Sequence, residues 1–173
     1  KEFTFNNIKQ GNRNALLYTD PTVDGLKTGH TDEAGYCLTA SSKRGAMRLI
    51  SVVMGANSMQ ARADQTRALF NWGFSNYETA LIRAKGQELS KPVVWFGVAD
   101  HVAVGLANDM SVSLPRGEKD KLQISLQIAP SLDAPLKAGQ EVGKIIATLD
   151  GKPVAEQALV TLQPVEQANF FVR

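Results

Sequence analysis

Apolar and polar positions are arranged differently in the two halves of the chain. Near the start, Glu2-Phe3-Thr4-Phe5-Asn6 alternates in the manner of a strand with one wet face. After a turn at Pro21, the run Val23 to Thr31 predicts a second strand, and Tyr36 to Ser42 a third. In that third strand Tyr36, Leu38 and Ala40 share one face, and Cys37, Thr39 and Ser41 share the other. The turn Lys43-Arg44-Gly45 leads to Leu49-Ile50-Ser51-Val52-Val53-Met54, a nearly unbroken apolar run expected of a strand covered on both faces. Sequential strands with short connections predict an antiparallel meander.

Asn57 or Ser58 then provides a cap for a helix. Its apolar positions Met59, Ala63, Leu69, Phe70, Phe74 and Tyr77 recur every three to four residues and predict one stripe against the sheet. Phe70, Trp72, Phe74 and Tyr77 read as plain core, and Gly73 as a site of close packing. From about residue 80 no helical period persists. Turn signals instead recur at intervals of roughly ten residues, at Lys85-Gly86, Asn108-Asp109, Pro115-Arg116-Gly117, Gly139, Asp150-Gly151 and Pro164, the spacing of a small β-sandwich or barrel. Leu122 to Ile128 alternates strictly, while Val142 to Leu149 and Val154 to Leu162 flank Asp150-Gly151 as the arms of a hairpin. The fold class expected is α+β: antiparallel strands with a packed helix over residues 1–79, then an all-β, sandwich-like domain over residues 80–173.

Composition narrows the function classes. The chain has 173 residues, 43% hydrophobic and 21% charged, which is globular composition. Nineteen basic against seventeen acidic residues leave a net charge of +2, mixed along the chain, and argue against nucleic acid as a partner. No apolar stretch approaches the roughly 20 residues of a membrane span, and no apolar segment follows Lys1 as a signal peptide requires. The alternating segment directly after Lys1 suggests a start inside a larger domain. Cys37 is the single cysteine, so no intrachain disulfide forms, and its setting predicts a small buried side chain. His30, Cys37 and His101 match no metal-ligand spacing, so neither a metal nor any other cofactor is expected.

The candidate chemistry lies in Val23-Asp24-Gly25-Leu26-Lys27-Thr28-Gly29-His30-Thr31. Lys-Thr-Gly on a strand is an element of penicillin-binding proteins and β-lactamases. Its usual companions are missing: Ser41-Ser42-Lys43-Arg44 ends in arginine where Ser-x-x-Lys needs lysine, and Ser75-Asn76 lacks the spacer of Ser-x-Asn. In acyl transfer to a serine, donors must stand ready for the oxyanion and for the substrate carboxylate. A strand edging a cleft supplies them, because an extended peptide can pair with its backbone. Lys27 would supply positive potential, Thr28 a hydroxyl donor, Gly29 the absence of bulk, and the His30 amide one oxyanion donor. Taken alone, Arg13 and Arg62 read as surface charges.

The longer run resembles the D-alanyl-D-alanine carboxypeptidases, low-molecular-mass penicillin-binding proteins of the 5 and 6 type. The likeness continues through Ala34-Gly35-Tyr36, Met47 to Gly55, Leu69-Phe70-Asn71-Trp72-Gly73-Phe74, Val94-Trp95-Phe96-Gly97, Leu114-Pro115-Arg116-Gly117, Ala134-Pro135-Leu136 and Asn169-Phe170-Phe171. The resemblance implies a periplasmic serine enzyme that removes the terminal D-alanine of peptidoglycan pentapeptides and is acylated by β-lactams. It implies that Lys27, Thr28, Gly29 and His30 line the substrate cleft, that Arg62 and Arg13 match family arginines, and that Arg62 is a carboxylate partner. It also places the serine, its lysine base and the Ser-x-Asn element before Lys1, in the remaining part of the catalytic domain, and a peripheral inner-membrane anchor beyond Arg173. The isolated chain is then expected to be inactive. A class A β-lactamase would lack the β-rich half. A transpeptidase differs only in whether an amine or water deacylates. For residues 81–173 a structural spacer is the preferred reading, with a protein- or glycan-binding module as the alternative.

Overall fold

The computed structural model describes residues 1–169, so the Phe170-Phe171 part of the resemblance lies outside the described residues. The chain divides into two compact units, Lys1–Glu78 and Thr79–Arg173.

Unit 1 opens with a hairpin of β1 (Glu2–Phe5) and β2 (Ile8–Gly11), followed by the single-turn helix α1 (Leu16–Thr19). The meander then forms as expected: β3 (Val23–Thr31), β4 (Gly35–Arg44) and β5 (Met47–Ala56) are antiparallel, in the order β3-β4-β5. Helix α2 (Met59–Asn76) packs against β4 and β5. Of the two cap candidates Ser58 is used, its Oγ accepting the Ala61 amide at 3.0 Å. Leu16, Val23, Leu38, Ala40, Ala63 and Phe70 form the core of this unit. Each large aliphatic or aromatic side chain buried there contributes about 1.5–3 kcal/mol. A Cβ on Gly73 would lie 2.6 Å from Leu49 Cδ1, so glycine there does permit close helix–strand packing.

Five expectations require correction. β1 buries neither face, since Phe3 and Phe5 are both exposed in the hairpin it forms with β2. Met59 and Leu69 are exposed rather than part of the α2 stripe, because the face turned to the sheet runs through Arg62, Ala63, Thr66, Phe70 and Gly73. β5 is not covered on both faces: Ile50, Val52 and Met54 are 65%, 59% and 75% exposed, because α2 covers the face of Ser51 and Val53 and nothing in the described chain covers the other. Trp72 is not core but 60% exposed, since it lies off the α2 stripe that carries Ala63 and Phe70 inward. Cys37 is only half-buried, being close to the open β3–β4 turn, where its thiol faces the Ala34 carbonyl at 3.5 Å.

Unit 2 begins within β6 (Tyr77–Arg83) and continues with β7 (Val93–Trp95), β8 (Val104–Gly105), β9 (Met110–Pro115), β10 (Gln123–Ile128), β11 (Ser131–Asp133), β12 (Glu141–Leu149) and β13 (Lys152–Thr161). A four-stranded sheet runs β10-β12-β13-β8, with two-stranded pairs β6-β9 and β11-β7 beside it. Val102, Val104, Ile145, Ala147 and Leu159 are fully buried at its centre. The expected hairpin is present: Leu149 pairs with Lys152, and both turn residues, Asp150 and Gly151, have positive φ (49° and 75°), the primed geometry that matches strand twist.

Candidate functional site

β3 is an edge strand of the unit 1 sheet, so one side of its backbone is not taken up by β4. Across the ladder Lys27 stands opposite Thr39, Thr28 opposite Leu38, Gly29 opposite Cys37 and His30 opposite Tyr36. Lys27, Thr28, Gly29 and His30 then line a cavity of about 500 Å³, together with Arg13, Tyr36, Met59 and Arg62. All the candidate residues are therefore brought to one place. The lining holds three permanent or near-permanent cations and no carboxylate, an arrangement that concentrates positive potential on an anionic guest.

The residue that assembles this wall is Arg62. It is 3% exposed, which overturns its reading as a surface charge, while Arg13 is exposed as that reading expects. The Arg62 guanidinium donates to three main-chain carbonyls: Nη1 to Gly29 O at 3.2 Å and Cys37 O at 3.3 Å, and Nη2 to Arg13 O at 3.1 Å. These carbonyls belong to the β2–α1 connection, to β3 and to β4. One side chain of α2 thus ties together three separate segments. Its planar fork suits this work, since five N–H groups in fixed geometry can meet several acceptors at once. The guanidinium also lies 5.6 Å from the Tyr36 ring, and Tyr36 stacks on His30 with ring centroids 3.9 Å apart.

Asn14 completes the frame from the other end. It is 1% exposed, its Nδ2 donating to Gly25 O at 3.2 Å and its Oδ1 accepting the Leu16 amide at 3.1 Å. Asn12 Oδ1 accepts the Asn14 amide at 2.9 Å, so the connection carrying Arg13 is folded by successive side-chain turns. Gly29 is not required by the protein's own packing. A Cβ there would meet only Cys37 Cβ, at an ordinary 3.8 Å, so the open space lies on the cavity side. On the far end of β3, Arg48 donates to Asp24 at 2.9 Å and also to the buried Ser41 hydroxyl. Hydrogen bonds involving Arg48 and then Ser41 hold the Asp24 carboxyl below the usual carboxylate range.

Comparison with known proteins places the chain in a family. The family described as penicillin-binding protein 5, C-terminal domain, matches residues 77–167, and the family described as D-alanyl-D-alanine carboxypeptidase matches residues 1–58. The chain belongs to the D-alanyl-D-alanine carboxypeptidase family. It is 45% identical over 173 residues to D-alanyl-D-alanine carboxypeptidase DacA of Escherichia coli (strain K12), covering 99% of this chain and 43% of that protein. It is 34% identical over 160 residues to DacF of Bacillus subtilis (strain 168), covering 92% and 41%. Penicillin binding protein 5 from Haemophilus influenzae superposes with a TM-score of 0.80 at 40% identity, over 96% of this chain and 49% of that one. The chain therefore spans less than half the length of these carboxypeptidase relatives. Among the described residues no group of three or more His, Cys, Asp or Glu could hold a metal ion, and no helix is long and apolar enough to cross a membrane.

Sequence reasoning missed Tyr36 and Met59 in the cavity lining and Asn14 in the frame that holds the Arg13 connection. Tyr36 lies one β-turn from His30, and strand alternation signals the pairing. Asn12 and Asn14 flanking Arg13 carry the signal of side-chain turns. Met59 gives no chemical signal of its own.

Replacing Arg62 by Met leaves three carbonyls without their donor and is expected to destabilise the chain by about 2–4 kcal/mol in urea unfolding. Gly29→Ala is expected to stay within about 0.5 kcal/mol of the parent chain; a large loss would show that the fold, not the cavity, demands glycine. Asp24 has a lowered pKa when folded, so its contribution is present above the unfolded value of about 3.9 and is lost as pH falls through the lower folded value. The urea midpoint of Asp24→Asn should therefore fall less on acidification below about pH 4 than that of the parent. Equal falls would exclude this pairing as a source of the acid sensitivity.

Proposed function

We propose that residues 1–79 are the C-terminal part of a serine-type D-Ala-D-Ala carboxypeptidase domain, and that residues 80–173 are a separate β-domain of the same enzyme. The observation that carries the reading is the single cavity in which Arg13, Lys27, Thr28, Gly29, His30 and Arg62 meet beside an edge strand. The donor set fits a peptide ending in a carboxylate. The stem peptide lies extended along β3, as an added strand. Lys27, Thr28 Oγ1 and Arg13 hold its terminal carboxylate, with Arg62 adding to the field. Two of the five Arg62 N–H donors remain beyond its three carbonyl contacts, which leaves it able to act as a carboxylate partner as well as a frame.

The chemistry then follows from what this wall supplies and what it lacks. A serine Oγ attacks the carbonyl of the penultimate D-alanine, the oxyanion is held in part by the His30 N–H, and the terminal D-alanine leaves as its amine takes up a proton. Water then cleaves the acyl-serine ester, regenerating the serine and releasing the shortened peptide. The wall binds, orients and polarises, but contributes no nucleophile, so the serine and its lysine base come from the portion before Lys1. A β-lactam presents a carboxylate beside a reactive carbonyl and enters the same place. The uncovered apolar side chains of β5, Ile50, Val52 and Met54, suit packing by that remaining part of the catalytic domain. The enzyme is assigned to the periplasm, held peripherally on the inner membrane by a segment beyond Arg173.

The reading is tested with a fluorescent penicillin. The 173-residue chain should take up no covalent label, and a chain extended to include the upstream portion should be labelled stoichiometrically. Labelling of the 173-residue chain, or none of the extended chain, overturns it. In the extended chain Lys27→Ala should slow labelling by at least about a hundredfold, as loss of a preorganised charge contact does.

A further inference from the structure

Unit 2 carries an aromatic surface that the carboxypeptidase reading leaves without a task. Strands β7 and β11 run parallel, with Val93 beside Ser131, Val94 beside Leu132 and Trp95 beside Asp133. Val94 is buried in the unit 2 core, so alternation turns Val93, Trp95, Ser131 and Asp133 to the outer face. His101 joins the edge of that face through an antiparallel bridge to Val93. Trp95, Phe96 and Val98 are 50%, 58% and 66% exposed.

The display is fastened by main-chain hydrogen bonds and held against local preference. Phe96 has φ of 59°, the left-handed region that a residue with a Cβ rarely adopts. The next residue, Gly97, is packed where no side chain fits, because a Cβ there would lie 2.8–2.9 Å from Val165, Ala99 and Val94. The Ala134 amide donates to Trp95 O at 2.9 Å, the Ala168 amide to Phe96 O at 2.8 Å, and the Val98 amide to Glu166 O at 2.9 Å. A strained, tightly fastened turn that exposes two adjacent aromatic rings points to a binding role.

The polar groups on the face choose the class of ligand. Asp133 stands directly beside Trp95, with the Ser131 hydroxyl and the His101 imidazole on the same side. Insertion into a bilayer or burial under an apolar partner would leave the Asp133 carboxylate desolvated and unpaired. A neutral sugar satisfies both kinds of group: its C–H face packs on the indole ring, and its hydroxyls donate to the carboxylate. We propose that Trp95, Phe96 and Asp133 form a binding site for a neutral glycan, whose β-linked amino-sugar character is taken from the carboxypeptidase reading. Its identification with the glycan strand that carries the peptide substrate rests on the carboxypeptidase reading; the site itself does not.

The test uses the 173-residue chain carrying Trp72→Phe, which leaves Trp95 as the sole indole. Titration with chitotetraose, a β-1,4-linked N-acetylglucosamine tetramer, should change Trp95 emission saturably, and Asp133→Asn should weaken binding roughly tenfold. On immobilised chitin, Trp95→Ala should be retained no better than an unrelated protein, Trp95→Tyr should be retained weakly, and the circular-dichroism melts of all variants should match the parent. Unchanged emission, or Trp95→Ala retained like the parent, overturns the proposal. So does an emission shift produced by phosphatidylcholine vesicles and not by the sugar, which makes the face a bilayer contact, or by protein concentration alone, which makes it an interface between copies. No step of this test reads serine acylation, so its failure and the failure of the penicillin experiment are separable.

Discussion

Three carbonyl groups from three separate stretches of chain meet one buried guanidinium, and the candidate cleft depends on that meeting. Arg62 is the only side chain placed to satisfy the Arg13, Gly29 and Cys37 carbonyls together in this part of the described structure. Burying a charged side chain is costly unless its N–H groups are paired, and here main-chain oxygens pair them without neutralising the charge. The same residue therefore does two things. It locks β3, β4 and the Arg13 connection into one wall, and it keeps a full positive charge against the cavity.

That arrangement explains how a chain with modest net charge can offer a strongly cationic site. Positive groups are spread along the sequence at Arg13, Lys27 and Arg62, and only the fold collects them. The Asn12–Asn14 turns bring the first, the edge position of β3 the second, and the buried face of α2 the third. Tyr36 joins the group through His30 and Arg62, so the His30 imidazole is packed rather than free. The result is a surface suited to holding an anionic group.

Much of this was legible from residue order. The meander, the helix cap, the Gly73 contact and the Asp150-Gly151 hairpin each follow from a local rule: strand period, N-terminal capping, close packing and positive-φ turn chemistry. The errors share a cause, which is that burial depends on what covers an element. Leu49 to Met54 is apolar on both faces, yet one face is bare, because hydrophobic pattern records what a strand could bury and not what is present to bury it. Arg62 fails in the opposite direction. Its type predicts solvent, and only three long-range carbonyl contacts, none visible in a local window, bring it inside. Tyr36, Met59 and Asn14 were missed for a similar reason: their neighbours in space are set by register and turns, and their residue types carry no chemical signature.

The central claim is that Arg62 holds the cavity wall together through its three carbonyl contacts. Hydrogen exchange followed by mass spectrometry on the 173-residue chain, comparing the parent with Arg62→Lys under conditions where both are folded, tests it directly. Lysine keeps the charge but cannot span three carbonyls, so amide protection should fall in peptides covering Arg13, Gly29 and Cys37, while the β12–β13 hairpin remains unchanged. Equal protection of those three segments in the two chains would contradict the account.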